Sequence, residues 1–246
     1  MVTLARDLRR RKARERTGAF VAEGVRAVEE LLRSSLTVRG VLVSPAFDDA
    51  ALRSALEQRG VPITAVDERT FATAADTESP QGVLAVAEAP VRTMEDIEAN
   101  GSGVCRVLAL DGVQDPGNVG AIIRSAAAFG ITATIALPGT VDLWNAKVVR
   151  SAMGAHFVHP AFAAPWEALD GFRAASGIPL WGADAGGTAI AAPYPARLVI
   201  VVGNEGNGLS AEARARADRL VSIPVRQVES LNVAVATGIL LYELRV

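Results

Sequence analysis

VIVVGNEGNGLS, Val199 to Ser210, carries the strongest architectural signal in the chain. Together with Leu198 it opens as an unbroken apolar run, Leu198–Val202, which reads as a buried strand. The run stops in Gly203-Asn204-Glu205-Gly206-Asn207-Gly208, where glycine permits positive φ or close approach of backbone to a ligand. Ser210 then stands as the N-cap of a helix over 211–218. Strand, glycine loop and helix in that order give an open α/β sheet a crevice at its strand ends. The loop is not GxGxxG, and it lacks the GK[ST] ending of a phosphate loop. Its one ionisable residue is Glu205. It marks a ligand site without naming the ligand.

The same build recurs on either side. Before the loop, 105–113 reads as a strand, 119–129 as a helix closed by Gly130, and 131–139 as a strand. A helix over 142–154, a short strand over 156–162, a helix over 165–176 and a strand over 178–185 follow. After the loop come a strand at 220–225 and a helix from 230 to 246. Strands alternating with helices predict a mostly parallel sheet covered on both faces. Residues 1–89 read as a separate, smaller α/β domain. Its helices are expected at 4–16, 25–34, 49–60 and 68–76, and its strands at 18–24, 38–44, 61–67 and 81–89. Residues 90–103, poor in large apolar side chains and ending in Asn-Gly-Ser-Gly, read as the linker, with a helical piece around 93–98. The larger domain is then 104–246.

The bulk properties narrow the class. Half of the 246 residues are apolar, enough for a real core, yet no 18-residue apolar stretch suggests a membrane span. The charged N-terminus is the reverse of a signal peptide, and the single Cys105 excludes an internal disulfide framework, so a reducing cytoplasm is expected. No Cys/His cluster has metal-ligand spacing, and no metal is expected. His156 and His159, the only histidines, lie beside apolar residues and read as structural. Net charge is −2, unevenly spread. Residues 1–16 carry seven Lys/Arg against two acids, while 17–103 carry seven against fourteen. A basic arm holding Arg9, Arg10, Arg11 and Lys12 on an acidic small domain suits a polyanion, although a solvated terminal helix has the same composition.

Three segments of the larger domain share the layout of strand, Gly/Asn/Pro loop and helix: Asp111–Arg124, Val201–Ser210 and Ile223–Asn232. In a parallel sheet their loops lie at the same strand ends and converge. Asn118 falls near the start of the first helix. Arg124 sits among Ile122, Ile123, Ala126 and Ala127, where an arginine needs an acid or a phosphate as partner. Glu229, Ser230 and Asn232 cluster at the start of the last helix, more polar groups than a single cap requires.

Taken together the motifs are specific. D-x-x-x-D-P-x-N-x-G-x-I-x-R at Asp111–Arg124, V-x-G-N-E-G-x-G-L at Val201–Leu209 and I-P-x…E-S-L-N-V-A-x-A at Ile223–Ala236 closely resemble the SpoU (TrmH-type) family of RNA ribose 2′-O-methyltransferases. Ser151-Ala152-Met153-Gly154-Ala155 resembles that family's S-x-G-A segment, and Phe20–Gly24 resembles the F-x-x-E-G start of its small substrate-binding domain. The resemblance implies a trefoil-knotted catalytic domain, which pattern alone would not suggest because knots are rare. It implies S-adenosylmethionine as cofactor, held by Gly203, Asn204, Glu205, Gly206 and Gly208, by Ile223 and Pro224, and by Leu231 and Asn232. It also implies a homodimer, with Arg124, Asn118, Glu205, Ser230 and Asn232 as catalytic residues.

Within that resemblance Arg124 stands either as general base or as a clamp on RNA phosphate that orients the ribose. Deprotonating a free guanidinium near pH 7.5 costs roughly 7 kcal/mol, so the clamp is physically easier. Glu205 is expected to orient Arg124 or to balance the sulfonium charge. RNA is the expected partner, ribosomal RNA ahead of transfer RNA, with Arg9–Lys12 guiding it. Two other readings remain: an RNA-binding protein that keeps the fold without catalysis, and a nucleotide-dependent metabolic enzyme. The second lacks the GxGxxG fingerprint.

Overall fold

Alternating apolar runs and amphipathic segments build two units in a computed structural model that describes residues 1–99 and 103–245. One unit comprises Met1–Pro90 with Trp144–Val158, the other Val91–Leu143 with His159–Val246.

The first unit begins with α1 (Val2–Asp7) and α2 (Arg11–Thr17), followed by β1 (Ala19–Glu23) and α3 (Val25–Arg33). Next come β2 (Val38–Val43), α4 (Ala50–Gln58), β3 (Ile63–Ala65), α5 (Glu68–Ala74) and β4 (Val83–Glu88). The sheet order is β1-β4-β2-β3, with β4 antiparallel to both neighbours and β2 parallel to β3. The four expected strands are all present. The expected helix at 4–16 is instead two. Arg14, itself buried, turns its guanidinium onto the carbonyls of Leu8 and Arg9, at 2.6 and 3.0 Å, and so satisfies the backbone where α1 ends. Ala5 and Leu8 are buried with Phe71, Leu84 and Val86, so the arm is packed at its apolar residues rather than frayed.

The second unit holds α6 (Met94–Ala99), β5 (Cys105–Asp111), α7 (Pro116–Ala128) and β6 (Ala133–Ala136). The chain then passes through α8 (Ala146–Ser151) and one 3₁₀ turn, Ala155–Phe157, both in the first unit. Asn145 starts α8 by accepting from the Lys147 amide at 2.9 Å, and Gly154 at φ +88° follows its end. The expected helix at 142–154 is therefore shorter. Trp144 lies 4.4 Å from the Phe20 ring, and Val149 and Phe157 share the core of Phe20, Leu31 and Leu56. The part of 156–162 expected as strand is the 3₁₀ turn followed by β7 (Ala161–Ala163).

Next come α9 (Trp166–Ser176), β8 (Leu180–Ala189), β9 (Arg197–Gly203), α10 (Ala211–Arg216), β10 (Arg219–Ser222) and α11 (Val233–Glu243). All six strands are parallel, in the order β10-β8-β9-β5-β6-β7. On one face Val107, Ala109, Val199 and Val201 pack with Trp166, Leu169 and Phe172 of α9. Leu108 and Leu110 point the other way, toward the side where α7 and α11 pack together, and are equally buried. Of the expected linker, Met94–Ala99 is helical, and 100–102 lie outside the described residues. Among the described residues no helix is long and apolar enough to cross a membrane.

Candidate functional site

Because β5, β9 and β10 run parallel, the loops that leave their C-terminal ends emerge on one edge of the sheet. Asp111 ends β5, and its buried carboxylate accepts from the Ser210 amide at 2.7 Å, tying the first loop to the second. Asp115 caps α7 by accepting from the Asn118 amide at 2.8 Å, with Pro116 at the first helical position.

The glycine loop is cross-braced. Asn204 and Gly208 exchange two backbone hydrogen bonds of 2.9 Å each. Asn204 Oδ1 accepts from Gly206 and Asn207, and its Nδ2 donates to the Gly112 carbonyl at 2.9 Å. A Cβ on Gly203 would lie 2.2 Å from Gly208, so no other residue fits there without displacing the loop.

Glu205 is the hub. Its carboxylate accepts from the backbone amides of Gln114 and Asp115, at 3.2 and 3.0 Å, and from the side-chain amides of Asn118 and Asn204, at 3.2 and 3.4 Å. Partial burial pushes this carboxyl up, but its own amide, those of Asp115 and Gln114 and the Asn118 side chain outweigh it and hold it below the usual value. Asn118 passes the constraint on, because its Oδ1 accepts from Asn232 Nδ2 at 3.1 Å. Asn232 is also the N-cap of α11, accepting from Ala234 and Val235. The last helix therefore starts at 233 rather than 230, because Asn232, not Ser230, closes its first turn. Three loops are joined by one line of side chains, Asn232–Asn118–Glu205.

Beside this line lies a pocket of about 330 Å³. Gly203, Asn204, Glu205, Gly206, Gly208, Ile223, Ser230 and Leu231 line it, whereas Pro224, Asn232 and Asn118 do not. Val202, Val225 and Leu240 add apolar wall. Sequence reading missed Asp184 and Arg214, which also line it. Gly182 pairs with Leu220 while the next pair is Thr188 with Val221, so Ala183–Gly187 bulges out of β8. Gly187 is required there, since a Cβ would come 2.7 Å from the Leu220 backbone. The Gly186-Gly187 pair inside a strand run was the available signal.

Of the two partners expected for Arg124, an acid or a phosphate, the acid is absent among the described residues. Helix α7 buries Val119, Ile122, Ile123 and Ala126, which leaves Arg124 on the outward face with Ala121, Ser125 and Ala128. It is exposed and forms no ion pair among the described residues, and Glu205 is taken up by other donors. Of the basic arm, Arg10 pairs with Asp7 and Arg11 with Glu15, while Arg9 and Lys12 are exposed. His159 Nε2 lies 2.9 Å from Thr134 Oγ1, and burial lowers the ring to about 4, so it is neutral near pH 7. His156 stacks in the first unit, 4.0 Å from the Trp144 ring. Among the described residues no group of His, Cys, Asp and Glu is arranged to hold a metal.

Known proteins resolve which family builds such a site. The SpoU rRNA Methylase family profile matches residues 106–242. The chain belongs to the SpoU rRNA methylase family. Residues 2–85 match the MRM3-like substrate binding domain. Among SpoU relatives, the 23S rRNA (guanosine(2553)-2′-O)-methyltransferase RlmP of Bacillus subtilis is 35% identical, over 98% of this chain and 94% of its own length. The 23S rRNA (guanosine-2′-O-)-methyltransferase RlmB of Xanthomonas campestris is 34% identical over 89% and 93%. The SpoU methyltransferase AviRb of Streptomyces viridochromogenes, solved with AdoMet, superposes with a TM-score of 0.88 at 30% identity, covering 98% of this chain and 95% of its own. An AdoMet-bound rRNA methyltransferase from Sinorhizobium meliloti gives 0.84 at 30% identity, covering 98% and 92%.

Proposed function

We propose that this chain transfers a methyl group from S-adenosylmethionine to a ribose 2′-hydroxyl of ribosomal RNA. The observation that carries the reading is the pocket at the strand ends with the Asn232–Asn118–Glu205 line beside it. The donor set fits the cofactor. Val202, Ile223, Leu231 and Leu240 offer apolar surface to a purine, and the backbone of Gly203–Gly208 offers hydrogen bonds. With Asp184 paired to Arg214, Glu205 and Glu229 leave the lining net acidic, which suits a sulfonium cation. When bound, S-adenosylmethionine supplies an electrophilic methyl group.

The chain's own residues position the acceptor. With four N–H donors on its carboxylate, Glu205 holds no lone pair in reserve for a proton; it fixes Asn118 instead. Asn118, pinned at both ends of its amide, is set to orient a ribose hydroxyl at the pocket rim. Arg124, exposed on α7, serves as the clamp on the RNA phosphate rather than as the base. Ser230 and Leu231 close the pocket from the third loop.

The reading includes a homodimer. Helix α11 is apolar all round, burying Thr237, Leu240 and Leu241 while exposing Val235, Ile239 and Tyr242. Covering that face with a second copy removes an apolar stripe from water and brings Arg124 of α7, which packs against α11, to the subunit boundary. Charged substitution of Ile239 should then yield monomers in sedimentation. It includes a trefoil knot within 104–246, supported by family membership and by the return of α11 from the edge strand β10 to α7 and β9. It includes residues 1–89 as the RNA-binding domain, guided by Arg9 and Lys12 with Arg10 and Arg11, and a cytoplasmic site of action.

The test is methylation of separate pools of unmodified ribosomal and transfer RNA with tritiated S-adenosylmethionine. Alkali-resistant labelled dinucleotides from ribosomal RNA are expected. Label in base fragments, or none from either pool despite cofactor binding to protein supplied with ribosomal particles, overturns the reading.

A further inference from the structure

We propose that Asp184, on the bulge of β8, is the residue that reads the ribose diol of the adenosyl ligand, with Arg214 holding it in place. This rests on the reading of the pocket as an S-adenosylmethionine site. Ala183–Gly187 leaves the sheet because β10 contributes no residues opposite it, and the bulge delivers Asp184 to the pocket wall. The Asp184 side chain is 12% exposed, and such a carboxylate needs partners. It has two: Oδ1 accepts from the Gly186 amide at 2.9 Å, and Oδ2 lies 2.5 Å from Arg214 Nη2.

Each oxygen retains accepting capacity beyond those bonds. The ligand's charge then decides which donor it takes. Arg214 already neutralises the carboxylate, so a second cation such as the ligand's α-ammonium would meet the guanidinium within a few ångströms. A pair of neutral hydroxyls meets no such repulsion. A carboxylate is also the group by which other adenosyl sites engage a ribose diol. Asp184 and Arg214 are thereby a built acceptor for a neutral vicinal diol, and the bulge is the device that places it.

Calorimetric titration of the full chain with S-adenosylhomocysteine and with its 2′,3′-dideoxy analogue tests this. Wild type is expected to bind the parent compound roughly 10- to 100-fold more tightly than the analogue, the worth of hydrogen bonds to a charged acceptor. Asp184→Asn, nearly isosteric, should bind the parent more weakly and keep a discrimination of only about threefold, as expected when the charged acceptor becomes neutral. Equal binding of both compounds by wild type overturns the assignment without recourse to any variant. So does full discrimination retained by Asp184→Asn. Absence of S-adenosylhomocysteine binding to wild type strikes instead at the cofactor reading, and this inference falls with it.

Discussion

The loop after β9 and the loop after β10 line the same pocket and are built in opposite ways. Gly203–Gly208 is held by its own backbone bridge, by Asn204 to Gly112, and by Glu205 to three residues of the first loop. Ile223–Leu231 forms no hydrogen bond among the described residues, and Pro224–Ser230 are all exposed. Gln227 even sits at φ +66°, a conformation that costs a residue with a Cβ. One wall of the pocket is set before any ligand arrives. The other lacks such bracing, and any ordering a ligand imposes on it would draw on binding free energy. On the proposed function, the braced wall adjoins the side chains assigned to the reacting groups, and the unbraced wall adjoins the cofactor.

The sharpest way to break this comparison is Gly203→Ala. Its Cβ would meet Gly208 at 2.2 Å, so a loss of about 3 kcal/mol or more is expected in chemical unfolding, with loss of S-adenosylhomocysteine binding. A variant that stays stable and binds would show the braced loop to be as compliant as its neighbour.

Glu205→Gln comes next, since an amide cannot accept from four donors; methylation should fall by roughly tenfold or more. The pH dependence carries a sign. The Glu205 carboxyl lies below its usual value when folded, so its stabilisation is present above the ordinary carboxylate range and disappears as pH falls through the depressed value. In Glu205→Gln, melting temperature should drop less steeply across that acid window than in wild type. Parallel curves would remove Glu205 as the hub.

Asn232→Ala removes the α11 cap and the anchor of Asn118, costing about 1 kcal/mol of stability, with kcat reduced more than cofactor affinity. The smallest effect is expected from Gln227→Gly. Relief of the left-handed strain offsets the added freedom of the unfolded chain, so stability should change by less than about 1 kcal/mol and cofactor affinity by only a fewfold. A large loss there would show the second loop to be fixed as well.

Much of the site could be read from residues alone, because it is local chemistry. Gly203, Asn204 and Gly208 make a turn that few other residues permit, and Asp115-Pro116 announces the start of a helix wherever it occurs. Asp184 escaped because its position depends on a bulge, and bulges are set by the partner strand rather than by the strand's own sequence. The surroundings of Arg124 were hidden for a related reason. Its apolar neighbours in sequence lie, at 100° per residue, on a different face of α7. The segment Trp144–Val158 escaped similarly, since helical spacing says which residues are apolar and not which core they enter.

The parallel sheet and the three loops at its strand ends were legible from residues alone, because they follow from apolar runs and turn residues a few positions apart; the family was legible only through the resemblance of the motifs those loops carry. Packing alone set the line Asn232–Asn118–Glu205, the pairing of Asp184 with Arg214 and the outward face of Arg124. The first two join residues 30 to 114 positions apart, and the third depends on which side of a helix meets the core. Such contacts are fixed by strand order and register, which are properties of the packed sheet and not of any one segment.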